Sequence, residues 1–240
     1  MRALRISLVI LAVLAVLFVA ADRLAVGMAE DEVAQQIKDS NGMTEAGEVD
    51  VSIDGFPFLT QFATKEFDKI TVNVSDVTAR SGARQVTLSS LTADLSDVRL
   101  SDGYSSATAS HATGTALISY DALTKAADKD VNLGWGGKSD SGRGQVRVDA
   151  QVGPLTRACA LLKQDCSVRA TVGVSGNKIK LRATRIPASK VPGVEEAVRK
   201  KTDFDRAIDG LPDGLTLKRA VPTQKGIELT VEGEDVPLNS

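Results

Sequence analysis

The sequence predicts an α+β fold built around a large antiparallel sheet, and two observations lead to this expectation. From about residue 49 onward, apolar and polar residues mostly alternate with a period of two, which is typical of half-buried strands. The predicted strands number about ten and the predicted helices about three, and they do not alternate as they do in parallel α/β folds.

The first 21 residues have the composition of a membrane-targeting segment. Arg2 and Arg5 flank the start of an almost entirely apolar run, residues 6–21, and small residues stand at the −3 and −1 positions before Asp22. Sixteen helical residues span about 24 Å, less than the ~30 Å hydrocarbon core of a bilayer. We therefore interpret residues 1–21 as a cleaved signal peptide or, alternatively, as an uncleaved anchor. Both interpretations place the rest of the chain outside the cytoplasm.

Residues 22–38 are predicted to form an amphipathic helix. Its apolar side is expected to consist of residues that recur at helical spacing: Leu24, Met28, Val33 and Ile37. The acidic residues 30–32 are expected to face water. Residues 39–240 contain no Pro-rich linker and no internal repeat, so we interpret them as one α+β domain.

In the first half of this domain, alternation predicts strands around Val51 and Val72 and a third strand that begins at Val86. The apolar residues of the third strand change phase near Ser89-Ser90, which predicts a bulge or bend there. Residues 104–118 are rich in Ala, Ser and Thr, and are predicted to form one strand of roughly 50 Å at ~3.3 Å per residue.

In the second half, Ser119 is predicted to cap a short helix over residues 120–127. The clearest alternation follows in three runs, residues 146–152, 168–174 and 179–183. A third helix is predicted over residues 195–208, and a hairpin around Lys225-Gly226 closes the chain.

Composition argues against several classes of function. Beyond residue 21 the chain has 27 basic and 31 acidic side chains, and this net charge of −4 argues against a nucleic-acid partner. His111 is the sole histidine, so a His-rich metal site is excluded and a catalytic triad would have to use that residue. No motif for a metal, a nucleotide or a triad fits. We therefore expect no metal ion, no cofactor and no enzymatic activity.

The two cysteines, Cys159 and Cys166, are a candidate disulfide. An exported chain enters an oxidising compartment, and a bridge between them would close a short loop worth ~2–3 kcal/mol. The alternative is a pair of free thiols.

Four phenylalanines lie within twelve residues, in the segment 55–67. They are interpreted either as a core plug at a strand crossover or as an apolar rim that touches lipid. Two nearby lysines are candidates for head-group contacts. The candidate lipid-binding residues are therefore Phe56, Phe58, Leu59, Phe62, Lys65 and Lys69.

The sequence resembles the exported LmeA-like phospholipid-binding proteins of actinobacteria, over nearly the whole chain beyond the targeting segment. The most specific stretch is residues 55–61, Gly-Phe-Pro-Phe-Leu-Thr-Gln. The other stretches that carry the resemblance are residues 34–37, 114–123, 211–215 and 226–233.

The resemblance implies a tubular lipid-binding (TULIP-like) fold, in which a long, curled antiparallel sheet wraps a helix and leaves an apolar groove. It also implies phospholipid binding in the cell envelope, with a role in mannan elongation of lipoglycans in mycobacterial relatives. Small side chains that would leave room in such a groove are Ala107, Ala109, Ala112 and Ala116. Alternatively, these alanines form a close-packed sheet face.

We therefore expect a non-enzymatic protein that binds or shuttles phospholipid at the outer face of the cytoplasmic membrane or in the cell envelope. Its expected partners are phospholipid, the membrane surface and envelope glycan-assembly proteins. The alternatives are a lipid-free scaffold for envelope glycan assembly and a glycan-modifying enzyme.

Overall fold

A computed structural model describes the chain over residues 2–39, 47–81, 84–101, 106–127, 131–150, 153–162, 166–208 and 211–238. These residues form five helices and eleven strands in two antiparallel sheets, which confirms the predicted α+β class.

The first sheet contains the long strands. Its members are Val49–Asp54 (β1), Glu66–Ser81 (β2), Arg84–Leu100 (β3), Ala107–Ser119 (β4), Leu215–Pro222 (β10) and Gly226–Pro237 (β11). They lie in the order β1-β2-β3-β4-β11-β10, and each pair is antiparallel.

The second sheet is smaller and keeps the order of the sequence. Its strands are Val131–Lys138 (β5), Gly144–Ala150 (β6), Val168–Ser175 (β7), Lys178–Arg185 (β8) and Phe204–Ala207 (β9). The helices are Arg2–Asp39 (α1), Phe58–Thr64 (α2), Tyr120–Ala126 (α3), Gly153–Leu162 (α4) and Val194–Thr202 (α5).

Helix α1 runs without a break from the predicted targeting segment into the predicted amphipathic helix. Its side chains over residues 5–21 are exposed, whereas Asp22 and Val26 are buried. The C-terminal half of α1 packs against β1 and α2. By length and composition the helix can cross a membrane, although a signal sequence has the same properties.

The packed side of α1 differs from the predicted one. Leu24 and Met28 are 71% and 68% exposed, so the prediction that they face the domain was wrong. The stripe that faces the domain instead recurs every three or four residues, as Asp22, Val26, Ala29, Val33 and Ile37. Leu24 and Met28 fall outside this stripe and extend the exposed apolar surface of the N-terminal half.

Glu30 binds the edge of the first sheet instead of facing water as predicted. Its Oε1 accepts a hydrogen bond of 2.7 Å from the backbone N–H of Ile53, in the edge strand β1. An edge strand presents unpaired backbone groups that other chains can pair with. Helix α1 therefore protects this edge as well as covering its apolar face.

The first sheet bends along a line that crosses four neighbouring strands. Asp97 in β3 and Asp235 in β11 lie on this line with left-handed φ angles of 50° and 49°. Along each of these strands, the positions that face inward shift by one residue at this line, so that even positions replace odd ones or the reverse. The inward-facing residues on its two sides are Phe67 and Ile70, Val98 and Leu95, Ala109 and Ala112, and Val236 and Val231. The sheet therefore curls and still keeps one continuous apolar face.

A second bend confirms the prediction near Ser89-Ser90. Asp76 in β2, with a φ of 50°, stands opposite Ser89 between the pairs Ser75–Ser90 and Val77–Leu88. Leu88 and Leu91 consequently face the same core in spite of their odd spacing.

Two apolar cores lie along the inner face of the first sheet. The near core packs α1 and α2 onto β1, β2 and β3, and includes Val26, Val51, Phe58, Phe67 and Val98. The far core packs the second sheet, α4 and α5 against β10 and β11, and includes Val146, Leu155, Val168, Val198 and Leu217. Strands β10 and β11 thus join the two sheets.

The helix predicted over residues 195–208 is shorter in the structure. Helix α5 ends at Thr202, where Asp203 is extended and its Oδ1 accepts a 2.8 Å hydrogen bond from the N–H of Ala183. The chain beyond then pairs with β8 as strand β9. Residues 204–207 therefore pair with the edge of β8 instead of continuing the helix.

The predicted bridge between Cys159 and Cys166 is not present in the structure. Neither residue is in a disulfide; Cys159 is buried on α4, and the Sγ of Cys166 lies 3.9 Å from the carbonyl oxygen of Leu155.

The bend at Asp97 can be tested by substitution, because its side chain is exposed and only its backbone angle is special. We expect Asp97→Val to lower stability by about 1–2 kcal/mol, since a branched side chain is strained at a left-handed φ. The melting temperature should fall by roughly 2–8 °C, measured by circular dichroism. Asp97→Gly is the control and should melt no lower than the parent chain; equal losses in both variants would contradict this account.

Candidate functional site

The aromatic segment divides into two core residues and two surface residues. Phe58 is 5% exposed, and its ring centroid lies 6.2 Å from those of Phe62 and Phe67. Phe56 and Phe62, in contrast, are 53% and 49% exposed. The two interpretations of the sequence therefore apply to different members of the segment. Phe58 and Phe67 belong to the near core, and Phe56 and Phe62 form an apolar surface beside α2.

Helix α2 is held in place by the carboxylate of Asp22. Its N-cap position is Pro57, which makes no side-chain capping bond. Asp22 of α1 is fully buried, and its Oδ1 accepts a 2.9 Å hydrogen bond from the backbone N–H of Leu59. A side chain from another helix thus satisfies one of the free N–H groups that begin α2.

A second contact, at the surface, joins α1 to the residues just before α2. The guanidinium carbon of Arg23 lies 5.1 Å from the ring centroid of Phe56, a cation–π geometry. Asp22 and Arg23 together fix α2 at the point where the exposed part of α1 ends. Neither residue was predicted to position a helix. The feature of the sequence that could have indicated them is a pair of charged residues directly after a long apolar run.

The two candidate lysines occupy different surroundings. Lys65 ends α2 with a left-handed φ of 59° and is half-buried beside the aromatic residues. Lys69 forms an ion pair with Asp94, at 3.0 Å between Nζ and Oδ1, on the polar face of β2. The hydrogen bond and the charge of Asp94 raise the pKa of Lys69, and the hydrogen bond from Lys69 lowers the pKa of Asp94.

The structure thus gathers Phe56, Leu59, Phe62 and Lys65 around α2, with Leu59 half-buried against the near core. Lys69 does not lie with them. Its neighbour Ile70 packs against the near core, and adjacent residues of a strand point to opposite faces, so Lys69 points to the polar face of β2.

Small residues of β4 lie between the two cores, and we call Ala112, Gly114 and Ala116 the β4 seam. Ala116 pairs with Leu91 of the near core on one side and with Leu229 of the far core on the other. Gly114 stands likewise between Ala93 and Val231. None of the seam residues packs within either core cluster.

The remaining alanines proposed to line a groove do not lie in the seam. Ala109 is fully buried in the near core, and Ala107 packs against the same cluster. For these two positions the close-packed alternative was right. At Gly114 an added Cβ would lie 2.7 Å from a methyl group of Val231, so the glycine makes room for that side chain.

Two open depressions lie on the opposite, polar face of the first sheet. One is lined by Ser90, Thr92 and Thr115, and the other by His111 and Glu232. His111 is exposed there. Within the described residues, no group of three His, Cys, Asp or Glu side chains is placed to hold a metal ion.

Because the aromatic segment has buried and exposed members, substitutions in it should lower the free energy of unfolding by different amounts. Phe58→Ala should lower the free energy of unfolding by about 3–5 kcal/mol, because it removes a fully packed ring from the near core. Phe56→Ser and Phe62→Ser should each change it by less than about 1 kcal/mol, since half of each ring is already in water. Chemical denaturation of the three variants checks this. A similar loss in all three would assign the whole segment to the core.

Comparison with known proteins identifies a family for most of the chain. A family model of LmeA-like phospholipid-binding proteins matches residues 20–232. The matched region includes the packed half of α1, helix α2 and both sheets. A search of curated proteins and a search of solved structures each returned no match. Because the family model covers most of the chain, the protein belongs to the LmeA-like phospholipid-binding family.

Proposed function

We propose that this protein binds and shuttles phospholipid at the outer face of the cytoplasmic membrane, without catalysing a reaction, and that α1 anchors it there. One observation carries the proposal. The exposed apolar half of α1 ends at Asp22 and Arg23, and the exposed rings of Phe56 and Phe62 lie beside that same point.

The position of these rings matches the interface of a bilayer. If residues 5–21 of α1 enter the hydrocarbon region, Arg23 comes to lie at the level of the head groups. Aromatic side chains are enriched at this depth, where a ring contacts lipid on one side and water on the other. The exposed side chains of Leu24 and Met28 add apolar surface at the same level.

The inner face of the first sheet is the proposed path for an acyl chain. Transfer of a C16 chain into water costs roughly 12 kcal/mol at ~0.8 kcal/mol per methylene, so a carrier must cover most of the chain. The β4 seam runs from Ala112 to Ala116, about 13 Å at ~3.3 Å per residue, and so extends along roughly two thirds of the ~20 Å of an extended C16 chain. The β4 seam, between the two cores, is where this face carries the smallest side chains.

The export route and the partners belong to the same proposal. An anchored α1 would hold the domain at the membrane from which lipid is taken, whereas a cleaved signal peptide would release it into the envelope. The proposed biological role is to support lipoglycan assembly, and the proposed protein partners are envelope glycan-assembly proteins. A lipid-free scaffold is the alternative, and a glycan-modifying enzyme is disfavoured because the family is a lipid-binding one.

Lipid transfer between vesicles tests the proposal. The full chain is reconstituted into donor vesicles that contain a fluorescent phospholipid, and its transfer to acceptor vesicles is followed. The double variant Phe56→Ser/Phe62→Ser should slow transfer at least ~tenfold, because each ring removed from an interface costs on the order of 1 kcal/mol or more. Ala116→Phe should also slow transfer, since it fills the β4 seam.

The matched control is Leu161→Ser/Leu162→Ser on α4, which removes two exposed apolar side chains of 84% and 50% exposure elsewhere on the protein. It should leave transfer within about twofold of the parent chain. Equal transfer by the aromatic variant and the parent chain would overturn the proposed role of α2. An absence of transfer by the parent chain would favour the scaffold.

A further inference from the structure

Charge is distributed very unevenly along this chain. Residues 131–208, which form the second sheet and helices α4 and α5, contain 15 Lys and Arg against seven Asp and Glu. This region therefore has a formal charge of +8, and the rest of the chain has −10, so that the total of −2 conceals the contrast.

The cations of the second sheet lie on its outer face. Val146, Val168 and Leu181 point inward to the far core, so the alternate positions point away from it. Those outward positions include Arg147 and Arg169 on neighbouring strands, with Lys178, Lys180 and Arg182 on the next strand, β8. A register shift between Ala183 and Arg185 places Arg185 opposite Arg169, on the same face.

Three of these arginines form one row across three strands. Arg169 is paired in register with Arg147 of β6 on one side and with Arg185 of β8 on the other. Like charges directly opposite each other destabilise a sheet. The row therefore opposes folding in the free protein, and an anion at its surface would relieve the repulsion.

Glycines in β5 leave space for two of these guanidinium groups. An added Cβ at Gly134 would lie 3.7 Å from Nη2 of Arg147, and one at Gly137 would lie 3.2 Å from Nη1 of Arg169. Nη1 of Arg169 donates a hydrogen bond to the carbonyl oxygen of Gly136. The guanidinium groups of both arginines thus lie against β5.

Some of the cations are already neutralised within the protein. Arg147 pairs with Asp149 at 3.1 Å, and Arg182 pairs with Asp205. Lys178 and Arg185 are exposed and Lys180 is half-buried, and none of the three has an ion pair within the described part of the chain. The face therefore keeps uncompensated positive charge.

We propose that this cationic face docks onto a bilayer rich in anionic phospholipid. Its charges are spread over three strands and do not converge on one point, which suits many head groups better than a single anion. Arginine binds phosphate oxygens in pairs, and clustered basic residues are attracted to anionic lipid surfaces. The negative remainder of the chain is repelled by an anionic surface, so the protein approaches such a surface with this face first.

The position of the face determines which bilayer it meets. The second sheet contacts the first through β10, at the edge opposite to β1 and α1. In strand order, the cationic face thus belongs to the sheet that is farthest from α1. We take the bilayer onto which it docks to be a second lipid surface, to which the bound lipid is delivered. This inference rests on the proposed phospholipid shuttling and adds an acceptor to it.

Vesicle capture tests the docking separately from lipid transfer. The full chain is reconstituted into phosphatidylcholine vesicles, and labelled acceptor vesicles with about 30% phosphatidylglycerol or with phosphatidylcholine alone are added. The parent chain should capture the anionic acceptors only, and capture should fall as salt rises from 0.05 M to about 0.5 M. Equal capture of both kinds of acceptor would overturn the proposal.

The variant Lys178→Glu/Arg185→Glu should reduce capture at least ~tenfold, because basic residues near an anionic surface act additively. It should melt no lower than the parent chain, since Arg185→Glu places an acid beside Arg169. The control Lys125→Glu/Lys225→Glu makes the same change in net charge at exposed positions of α3 and the β10–β11 turn. It should keep capture within about twofold.

Equal losses in the two double variants would overturn the proposal, because net charge and not this face would then be responsible. Binding of soluble polyphosphate to Lys178 and Arg185 without capture of anionic vesicles would overturn it as well, in favour of a polymer ligand. Failure of the proposed shuttling gives a different result, in which the parent chain captures anionic vesicles normally but transfers no lipid.

Discussion

The arrangement of this protein depends on the docking of α2 against α1 through a buried carboxylate. Asp22 is fully buried and bonds to the N–H of Leu59, while Oδ2 of the same carboxylate has no protein partner. Burying a carboxylate is costly, and a hydrogen bond to a helix N-terminus offsets part of that cost. The contact fixes the exposed rings of Phe56 and Phe62 where the apolar helix leaves the domain. Without it, the aromatic segment would have no defined position relative to α1.

The curl of the first sheet follows from a second constraint, the need to keep one face apolar along strands of up to 17 residues. Asp97 and Asp235 take left-handed backbone angles on the same line, and inward-facing positions shift by one on either side. Aspartate tolerates this conformation better than most residues. The near core continues across the bend without exposing apolar strand faces, and the β4 seam lies just beyond it.

Much of the fold was predictable from the sequence, because alternation with a period of two is a strong signal over long strands. The phase change near Ser89-Ser90 even located a bend. Helix α2 was missed because seven residues are too few to show a helical period, and α4 was missed although Leu155, Ala158 and Cys159 are spaced as on one helix face. The end of α5 at Thr202 depended on a strand partner distant in sequence, which local patterns do not contain.

The candidate site was only partly predictable. The sequence marked the aromatic segment, but it did not separate buried Phe58 from exposed Phe62. The two residues are four positions apart, and residues at this spacing are expected on the same side of a helix. The packed side of α1 was predicted wrongly. Apolar residues occur on several sides of this helix, because its exposed apolar half continues without a break into the half that packs on the domain. The charge contrast between the two sheets was present in the sequence, yet the total of −2 concealed it until the topology showed which residues share a face.

Photo-crosslinking in vesicles tests the central claim most directly, namely that α2 and the inner face of the first sheet contact lipid. The full chain is reconstituted with a phospholipid that has a photoreactive group midway along one acyl chain, and the labelled residues are mapped by mass spectrometry. The account predicts labels on residues 5–21, on Phe56 or Phe62, and on the inner face of β4 between Ala112 and Ala116. Labels confined to α1, or placed on the polar face around Thr92 and Thr115, would contradict it.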